Sequence, residues 1–544
     1  MFLLMVLNGT RARAEEADPA PQAVRSMLER AEYPVPRVVD HERAALRVAY
    51  ERHGFRPFWT RDDTVSRQAT DMLQVLRSAD AYGLRPADYA VIRLNQQLDE
   101  LATHRDWTSE RRARFDVSLS AAALRFVTHL HFGRVDPRAC GFHLTQPRPA
   151  LDAAAVLEQM AGSDRLGELL ASWEPPFFHY RLLKQVLAHY RQLAAEPDLT
   201  KVPGFAGRSV KPGEAYSGAP ALRRLLLALG DLPPLDSAPS SDDNRLDPGL
   251  VAGIKRFQSR HGLDADGALG RTTFTALTTP LAQRVRQIEI TLERWRWLPP
   301  FETPPILVNI PQFRLFAFKS ADDRTPAILQ MPVVVGQTYT DMRTPVFVAD
   351  MKYVVFRPYW DIPAGILRRE ILPAIRANPA YLQRHDFEIV RGQGDDATAL
   401  EATPENISAL ATGRVRLRQR PGDDNALGLI KFMLPNAHNV YLHSTPAQQL
   451  FEKSRRAFSH GCIRVKDPVG LAAHVLRDTP GDWTPAKIGA AMHGEKALRV
   501  NLSRPIPVMI LYATALATEE GDVLFFEDIY GHDRKVEALL GPDR

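Results

Sequence analysis

Apolar residues recur every three to four positions through roughly the first two hundred residues of the chain. Phe115, Leu119, Phe126 and Leu130 share one face of such a stretch, which is the spacing of an amphipathic helix packed on a core. Large aromatic residues at this spacing are usually buried. The pattern therefore predicts a helical domain over residues 22–200, to which we assign no chemistry.

A second helical segment follows a stretch that is rich in proline, glycine, serine and aspartate. Val251 and Ile254 share one helix face, and Asp266 and Gly267 come soon after that helix. An Asp-Gly pair is typical of a tight turn between two elements. We therefore predict a small three-helix module over residues 215–282.

The pattern changes to strict alternation near residue 303. Ile306, Val308 and Ile310 occupy every second position, as in a strand with one buried face. Closely spaced short strands favour a β-sandwich-like domain over 303–544. Over 364–424 a helix and a polar, arginine-rich run interrupt this strand pattern, and we interpret this segment as an inserted cap. The predicted fold is multidomain α+β.

The composition of the 544 residues is that of an ordinary globular protein, with 45% hydrophobic and 24% charged residues. The length exceeds what one hydrophobic core supports, so several domains are expected. A net charge of +5 suits an anionic polymer or membrane surface, but it is too small to indicate nucleic-acid binding. The two cysteines, Cys140 and Cys462, do not form a disulfide framework, and we interpret Cys140 as structural.

The N-terminus is expected to direct export. Residues 1–7 are all apolar, and residues 12–14 read Ala-Arg-Ala, which is a small-residue cleavage pattern. We predict a signal peptide at 1–14, although the positive charge that normally precedes the apolar part is missing. No later run approaches the ~20 apolar residues of a membrane span, so no transmembrane segment is expected.

One cysteine near the C-terminus stands in a setting that suits catalysis. Cys462 directly follows His460 and Gly461, and His443 ends a strand-like run upstream. A thiol is a nucleophile only as the thiolate, so it needs a neighbouring base, which either histidine can provide. Gly461 permits a tight turn, and main-chain amides beside the cysteine are candidates for an oxyanion hole.

The elements around this thiol can also be predicted. Residues 439–443 and 463–465 form short apolar runs that indicate two strands. A helix should begin directly afterwards, with Asp467 as its N-cap and Pro468 at its first position. Two neighbouring strands of this kind can bring the imidazole of His443 to the sulfur.

Less reactive interpretations of Cys462 stay open at this point. A lone cysteine is usually a small buried hydrophobic residue. Histidine and cysteine together can also hold zinc, although the paired Cys-x-x-Cys or His-x-x-x-His spacing of such sites is missing.

The residues around the thiol resemble the L,D-transpeptidase (YkuD-type) signature. That signature is a histidine, a gap of about fifteen residues, and then Ser-His-Gly-Cys followed by an apolar residue and arginine. By this resemblance Cys462 matches the nucleophile and His443 the general base. The supporting positions beside the nucleophile are Ser459, His460 and Gly461. The positions on the substrate side are Tyr441, Arg464 and Trp360. Some related enzymes have serine in place of His460, which favours His443 as the base.

The order of the domains resembles the large YcbB-type subfamily. Residues 22–200 are similar to its helical scaffold domain, and residues 215–282 resemble a PG_binding_1 module. The resemblance implies that 303–544 is the catalytic domain and that 364–424 is a cap over its active site. A cap that excludes water favours attack by an amine over attack by water.

The resemblance also implies a function. We expect a periplasmic peptidoglycan L,D-transpeptidase that forms 3–3 crosslinks between a donor tetrapeptide and an amine acceptor through a cysteine thioester. No metal or organic cofactor is expected, and cell-wall synthases are candidate partners. Two alternatives remain: an L,D-carboxypeptidase or endopeptidase that hydrolyses the same thioester, and a non-catalytic wall-binding structural protein.

Overall fold

The fold is described here from a computed structural model. It describes residues 19–30, 40–61, 64–103, 107–144, 150–233, 244–321, 327–394 and 397–541. The predicted signal peptide at 1–14 lies outside the described residues. Within them, no helix is both long and apolar enough to cross a membrane. The chain divides into two compact units, one formed by 1–132 and 149–174 and the other by 133–148 and 175–544.

The described part of the first unit is helical apart from one short hairpin. Its helices are α1 (Ala20–Arg30), α2 (Asp40–Arg52), α3 (Arg67–Arg77), α4 (Val91–Thr103), α5 (Ser109–Phe132), α6 (Ala153–Gly162) and α7 (Leu166–Trp173). The hairpin pairs β1 (Thr60–Arg61) with β2 (Thr64–Val65). Helix α5 is buried along most of its length, and α1 to α4, α6 and α7 either contact it directly or pack on its neighbours.

A buried carboxylate joins this central helix to the hairpin. Asp116 of α5 accepts hydrogen bonds from the Tyr50 hydroxyl at 2.6 Å and from the amides of Phe58, Trp59 and Thr60 at 2.9, 2.7 and 3.1 Å. Burial raises the pKa of this carboxyl to about 6. Because buried main-chain amides need acceptors, this one side chain orders the chain that leads into β1.

The second unit begins with helices that pack beside a sheet. They are α8 (Phe178–Ala194), α9 (Ala219–Ala228), α10 (Pro248–Arg260), α11 (Arg271–Leu277) and α12 (Leu281–Arg296). Strand β3 (Ser209–Val210) pairs with β4 (Leu269–Gly270). Helix α8 packs along α12, so the helical segment predicted over 22–200 is divided between the two units.

Helices α9 to α11 form the predicted three-helix module, and a single glutamine holds its turn. The Gln258 side chain donates to Asp266 Oδ1 at 2.8 Å and to Thr273 Oγ1 at 3.1 Å, and it accepts from the Gly267 amide at 2.8 Å. Gly267 has a φ of +74°, which favours glycine. The Asp-Gly turn is therefore where the sequence predicted it.

The rest of the second unit is rich in strands. They are β5 (Ile306–Asn309), β6 (Arg314–Ala317), β7 (Leu329–Gly336), β8 (Phe347–Phe356), β9 (Trp360–Asp361), β10 (Phe387–Arg391), β11 (Thr398–Leu400), β12 (Arg416–Gln419), β13 (Ile430–Met433), β14 (Leu442–His443), β15 (Ala457–Ser459), β16 (Ile463–Val465), β17 (Leu498–Leu511), β18 (Ala515–Ala517) and β19 (Val523–Phe525). The helices are α13 (Ala364–Ile366), α14 (Leu372–Ala377), α15 (Ala380–Arg384), α16 (Pro404–Ala411), α17 (Pro468–Leu476), α18 (Pro485–Met492) and α19 (His532–Leu540).

The main sheet has the order β15-β7-β16-β14-β13-β8-β17-β5-β6, and β6 also pairs with β7. This second pairing closes the sheet around a core of alternate side chains, among them Ile306, Val308, Ile463 and Val465. The residues between them point outwards. The expected architecture, a helical N-terminal domain, a small helical module and a strand-rich domain, is confirmed.

The inserted cap has its own small sheet and core. Its strands follow the order β11-β10-β12-β9, so the cap sheet takes in Trp360 and Asp361, which precede the predicted boundary at 364. Between α13 and α14 the chain forms a π-helical turn, Leu367–Ile371. Such turns are rare and occur often at functional sites.

Candidate active site

Two parallel strands carry the residues that the sequence predicted. In the pairing of β14 with β16, Leu442 lies opposite Ile463 and His443 lies opposite Arg464. Side chains alternate along a strand, so His443 and Arg464 share the outer face of the sheet. The residues two positions earlier, Tyr441 and Cys462, lie on that same face. The predicted helix also follows, with Pro468 at its start and the Asp467 side chain capping the Gly470 amide.

His443 is buried and its tautomer is set by the main chain. Its Nδ1 lies 2.6 Å from the carbonyl oxygen of Ser444. A carbonyl only accepts hydrogen bonds, so Nδ1 carries the proton and Nε2 keeps its lone pair. Burial, helped by the positive charge of Arg464, lowers the pKa of this imidazole to about 3. The side chain is therefore a neutral base at neutral pH.

The Cys462 thiol lies among hydrogen-bonding and cationic groups. Its sulfur is 3.8 Å from the Asn439 carbonyl oxygen and contacts the Tyr441 hydroxyl and main chain. Burial raises the pKa of this thiol, whereas Tyr441, Arg464 and Lys431 lower it. Burial and the sulfur likewise raise the pKa of Tyr441 well above 10.0. The resting pair is thus a neutral thiol and a neutral imidazole.

The turn that presents the thiol is closed by two hydroxyl groups. Ser459 Oγ donates to the Cys462 carbonyl at 2.5 Å and accepts from the Gly461 amide at 3.1 Å. Thr344 Oγ1 donates to the Gly461 carbonyl at 2.9 Å and accepts from the Gly336 amide at 2.8 Å. Gly461 has a φ of +114°, which an L side chain rarely adopts.

These contacts reduce the number of main-chain amides that can form the predicted oxyanion hole. The Gly461 amide is taken by Ser459, and the Ile463 amide donates to the Tyr441 carbonyl at 3.1 Å. Among the described residues the amide of Cys462 has no hydrogen-bond acceptor. This amide is therefore the main-chain donor that remains for a developing oxyanion.

The cap contacts the same turn through polar and charged side chains. His460 Nε2 lies 2.8 Å from Glu370 Oε1 in the π-helical turn, so His460 faces the cap. Next to this contact, Arg369 forms an ion pair with Asp341. Both pairs connect the cap to the segments beside the nucleophile.

Trp360 lies in strand β9 of the cap, where it pairs with Gln419. It is partly buried against the cap core, with its ring 6.5 Å from that of Phe387. The neighbouring Asp361 is close enough to Tyr441 to raise the pKa of its hydroxyl. Trp360 thus belongs to a strand whose next residue reaches the site, while its own ring packs within the cap.

Several residues of the site were not identified from the sequence. Thr344 lies in a segment with no catalytic pattern, and Glu370 comes from the cap. Asn439 belongs to the run predicted as a strand, but β14 begins only at Leu442 and Asn439 has a φ of +54°. Lys431 had a detectable signal, since it stands between the apolar residues Ile430 and Phe432. Cys140, interpreted as structural, is buried, and both cysteines are free thiols. Among the described residues no cluster of three metal-ligating side chains occurs.

Fold and site together define a protein whose closed sheet carries a cysteine and a histidine on adjacent parallel strands. Residues 304–488 match the L,D-transpeptidase catalytic domain (YkuD). Residues 217–277 match a putative peptidoglycan binding domain, and residues 44–187 match a scaffold domain. The chain thus carries an L,D-transpeptidase catalytic domain and a PG_binding_1 module, and its architecture fits the YcbB type.

A curated relative agrees with this assignment. A protein of Haemophilus influenzae described as a putative L,D-transpeptidase is 32% identical over 251 residues, which are 46% of this chain and 49% of that protein. The chain therefore matches about half of the length of this relative. The resemblance to L,D-transpeptidases that the sequence suggested is thus confirmed.

Proposed function

We propose that this protein is a periplasmic peptidoglycan L,D-transpeptidase, which forms 3–3 crosslinks through a thioester on Cys462. One observation carries the proposal. Within the L,D-transpeptidase catalytic domain, Cys462 and a neutral His443 project from neighbouring parallel strands onto the same face of the sheet. This is the pairing of nucleophile and base that acyl transfer needs.

In the first step the donor acylates the enzyme. His443 takes the thiol proton at Nε2, and the sulfur attacks the carbonyl carbon of the third residue of a tetrapeptide stem. The Cys462 amide donates to the oxyanion that forms. When the tetrahedral intermediate collapses, the bond to the terminal D-Ala breaks, and its amine leaves with the proton from His443. The product is a thioester with the tripeptide stem.

In the second step an amine accepts the acyl group. The side-chain amine of a second stem attacks the thioester carbonyl while His443 removes a proton. The carbon–sulfur bond then breaks, the thiol is restored, and the two third residues are joined by an amide. The cap that contacts the thiol turn through Glu370 and His460 limits the access of water, which favours the amine.

The other parts of the chain have supporting roles in this proposal. The signal peptide at 1–14 exports the protein, and the PG_binding_1 module at 217–277 holds it on the wall. Tyr441, Arg464 and Trp360 contribute to the donor site, and cell-wall synthases are candidate partners. The two steps need no cofactor.

Intact mass after mixing with a tetrapeptide muropeptide tests the proposal. We expect a tripeptide-stem adduct on the wild type, none on Cys462→Ala, and crosslinked dimer in solution. Cys140→Ala is the matched control, because that thiol is buried, and it should behave as the wild type does. An adduct that yields only trimmed tripeptide means an L,D-carboxypeptidase. No adduct, with muropeptide binding retained, means a wall-binding protein.

A further inference from the structure

A row of cationic side chains crosses the outer face of the sheet beside the nucleophile. Lys431 pairs with His443, and His443 pairs with Arg464, across strands β13, β14 and β16. Adjacent strands lie about 4.8 Å apart, so the two cations flank a neutral imidazole at about 10 Å from each other. Arg464 is two residues from Cys462 on the same face.

The Arg464 guanidinium has no anionic partner in the described part of the chain. It is partly buried, no carboxylate of the described residues lies within 4 Å of it, and its Nε is buried without a hydrogen bond. Asp361, the carboxylate that lies near Tyr441, forms an ion pair with Arg416 instead. A guanidinium that is partly removed from water without a counter-ion is unfavourable, so this geometry suits an anionic ligand.

We propose that Arg464, with Lys431, binds the terminal carboxylate of the residue that is expelled from the donor. This inference rests on the proposed function. The scissile carbonyl carbon must meet the Cys462 sulfur, and the carboxylate of a single terminal residue lies only one residue beyond that carbon. Arg464, two positions along the same strand, is placed to form a bidentate pair with it.

The same contact limits which donors react. If the stem carried one more residue after the scissile bond, its carboxylate would move by about 3.5 Å along the extended chain. The guanidinium would then face a neutral amide, which cannot replace a carboxylate as its partner. Arg464 therefore acts as a specificity-determining residue that selects tetrapeptide over pentapeptide stems.

Two small alkylating agents test this carboxylate site without the full reaction. Iodoacetate carries a carboxylate and iodoacetamide does not, and both alkylate Cys462 by displacement of iodide. Both rates are proportional to the fraction of Cys462 that is thiolate, so the ratio of the two rates does not depend on that fraction. We expect the ratio of the iodoacetate rate to the iodoacetamide rate to be about tenfold higher for Cys462 than for free cysteine, which is the effect of one charge-assisted hydrogen bond. Arg464→Gln should abolish this preference, and Arg464→Lys should keep part of it.

Arg499→Gln is the matched control. Arg499 pairs with Val355, which pairs with Lys431, so it lies in the same row but four strands, or about 19 Å, from Arg464. Its replacement should leave the ratio unchanged. An unchanged ratio in Arg464→Gln, or an equal fall in Arg499→Gln, would overturn the proposal.

The second measurement uses the wild type alone, so it does not depend on any variant folding. A tetrapeptide whose C-terminus is an amide should acylate Cys462 at least tenfold more slowly than the free acid. Equal rates overturn the carboxylate site while leaving the transpeptidase intact. If neither peptide acylates the thiol but the iodoacetate preference depends on Arg464, the anion site stands and the proposed function fails.

Discussion

Ser459→Ala removes the hydroxyl that closes the thiol turn. Its Oγ bridges the Cys462 carbonyl at 2.5 Å and the Gly461 amide at 3.1 Å, and the residue is 3% exposed. The substitution leaves both main-chain groups without this partner, at about 1 kcal/mol each. If the closed turn is needed in the transition state, the loss of ~2 kcal/mol of stabilisation there slows acylation about thirtyfold.

Ser444→Ala provides a matched control for stability. Its Oγ also bridges two main-chain groups, accepting from Leu429 at 2.8 Å and donating to Leu427 at 3.3 Å, and it is 5% exposed. The carbonyl of Ser444 that orients His443 is unaffected. Both variants should therefore unfold more easily by similar amounts, whereas only Ser459→Ala should acylate slowly.

The assay is the rate of acylation by a tetrapeptide muropeptide, followed by intact mass, beside thermal unfolding. Ser459→Thr, which keeps a hydroxyl, should recover part of the rate. If Ser459→Ala acylates as fast as the wild type, or if both alanine variants slow equally, the turn does not position the thiol as argued.

Four other predictions concern the cap, the thiol, His443 and the scaffold. Glu370→Gln removes the charge 2.8 Å from His460 and should raise the share of hydrolysed product, measured by chromatography of the muropeptides. Because the pKa of Cys462 is raised and that of His443 is lowered to about 3, alkylation by iodoacetamide should rise about tenfold per pH unit from pH 6 to 8; a flat profile would mean a preformed ion pair. The same low pKa of His443 means that the unfolded chain takes up the proton first, so the contribution of His443 to the stability of the second unit should fall as pH drops from about 6.5 towards 3. Asp116→Ala removes the acceptor of five donors and should lower the free energy of unfolding of the first unit by more than 3 kcal/mol, or about 1 kcal/mol or more for each unpaired group, measured by denaturant titration.

Conservative variants serve as controls for the Glu370→Gln and Asp116→Ala predictions. Glu405→Gln lies on exposed cap helix α16 and should not change the product ratio. Tyr50→Phe removes just one of the five donors to Asp116 and should cost only about 1 kcal/mol. A loss in Tyr50→Phe as large as that in Asp116→Ala would contradict the account of this network.

Much of the local structure and the chemical candidates followed from the sequence. The spacing around Cys462, the strand-like run that ends at His443 and the Asp467-Pro468 helix start depend on neighbours in the chain. Periodicity and capping act over these short distances. The three-helix module and its Asp-Gly turn followed for the same reason. The C-terminal boundary of the helical domain was harder to predict, because the sequence pattern of α8 is helical whether the helix packs on the core of the first unit or of the second.

The tertiary structure decided where these candidate residues lie and what they contact. Parallel pairing of β14 with β16 places His443 and Arg464 side by side, and strand pairing between distant segments cannot be obtained from periodicity alone. The tautomer and low pKa of His443, the closure of the thiol turn by Thr344 and the contact of His460 with Glu370 all depend on burial and on partners far away in the chain. The sequence by itself predicted which groups would carry the chemistry, and the fold determined their protonation, orientation and partners, because those properties arise from contacts that only the folded chain makes.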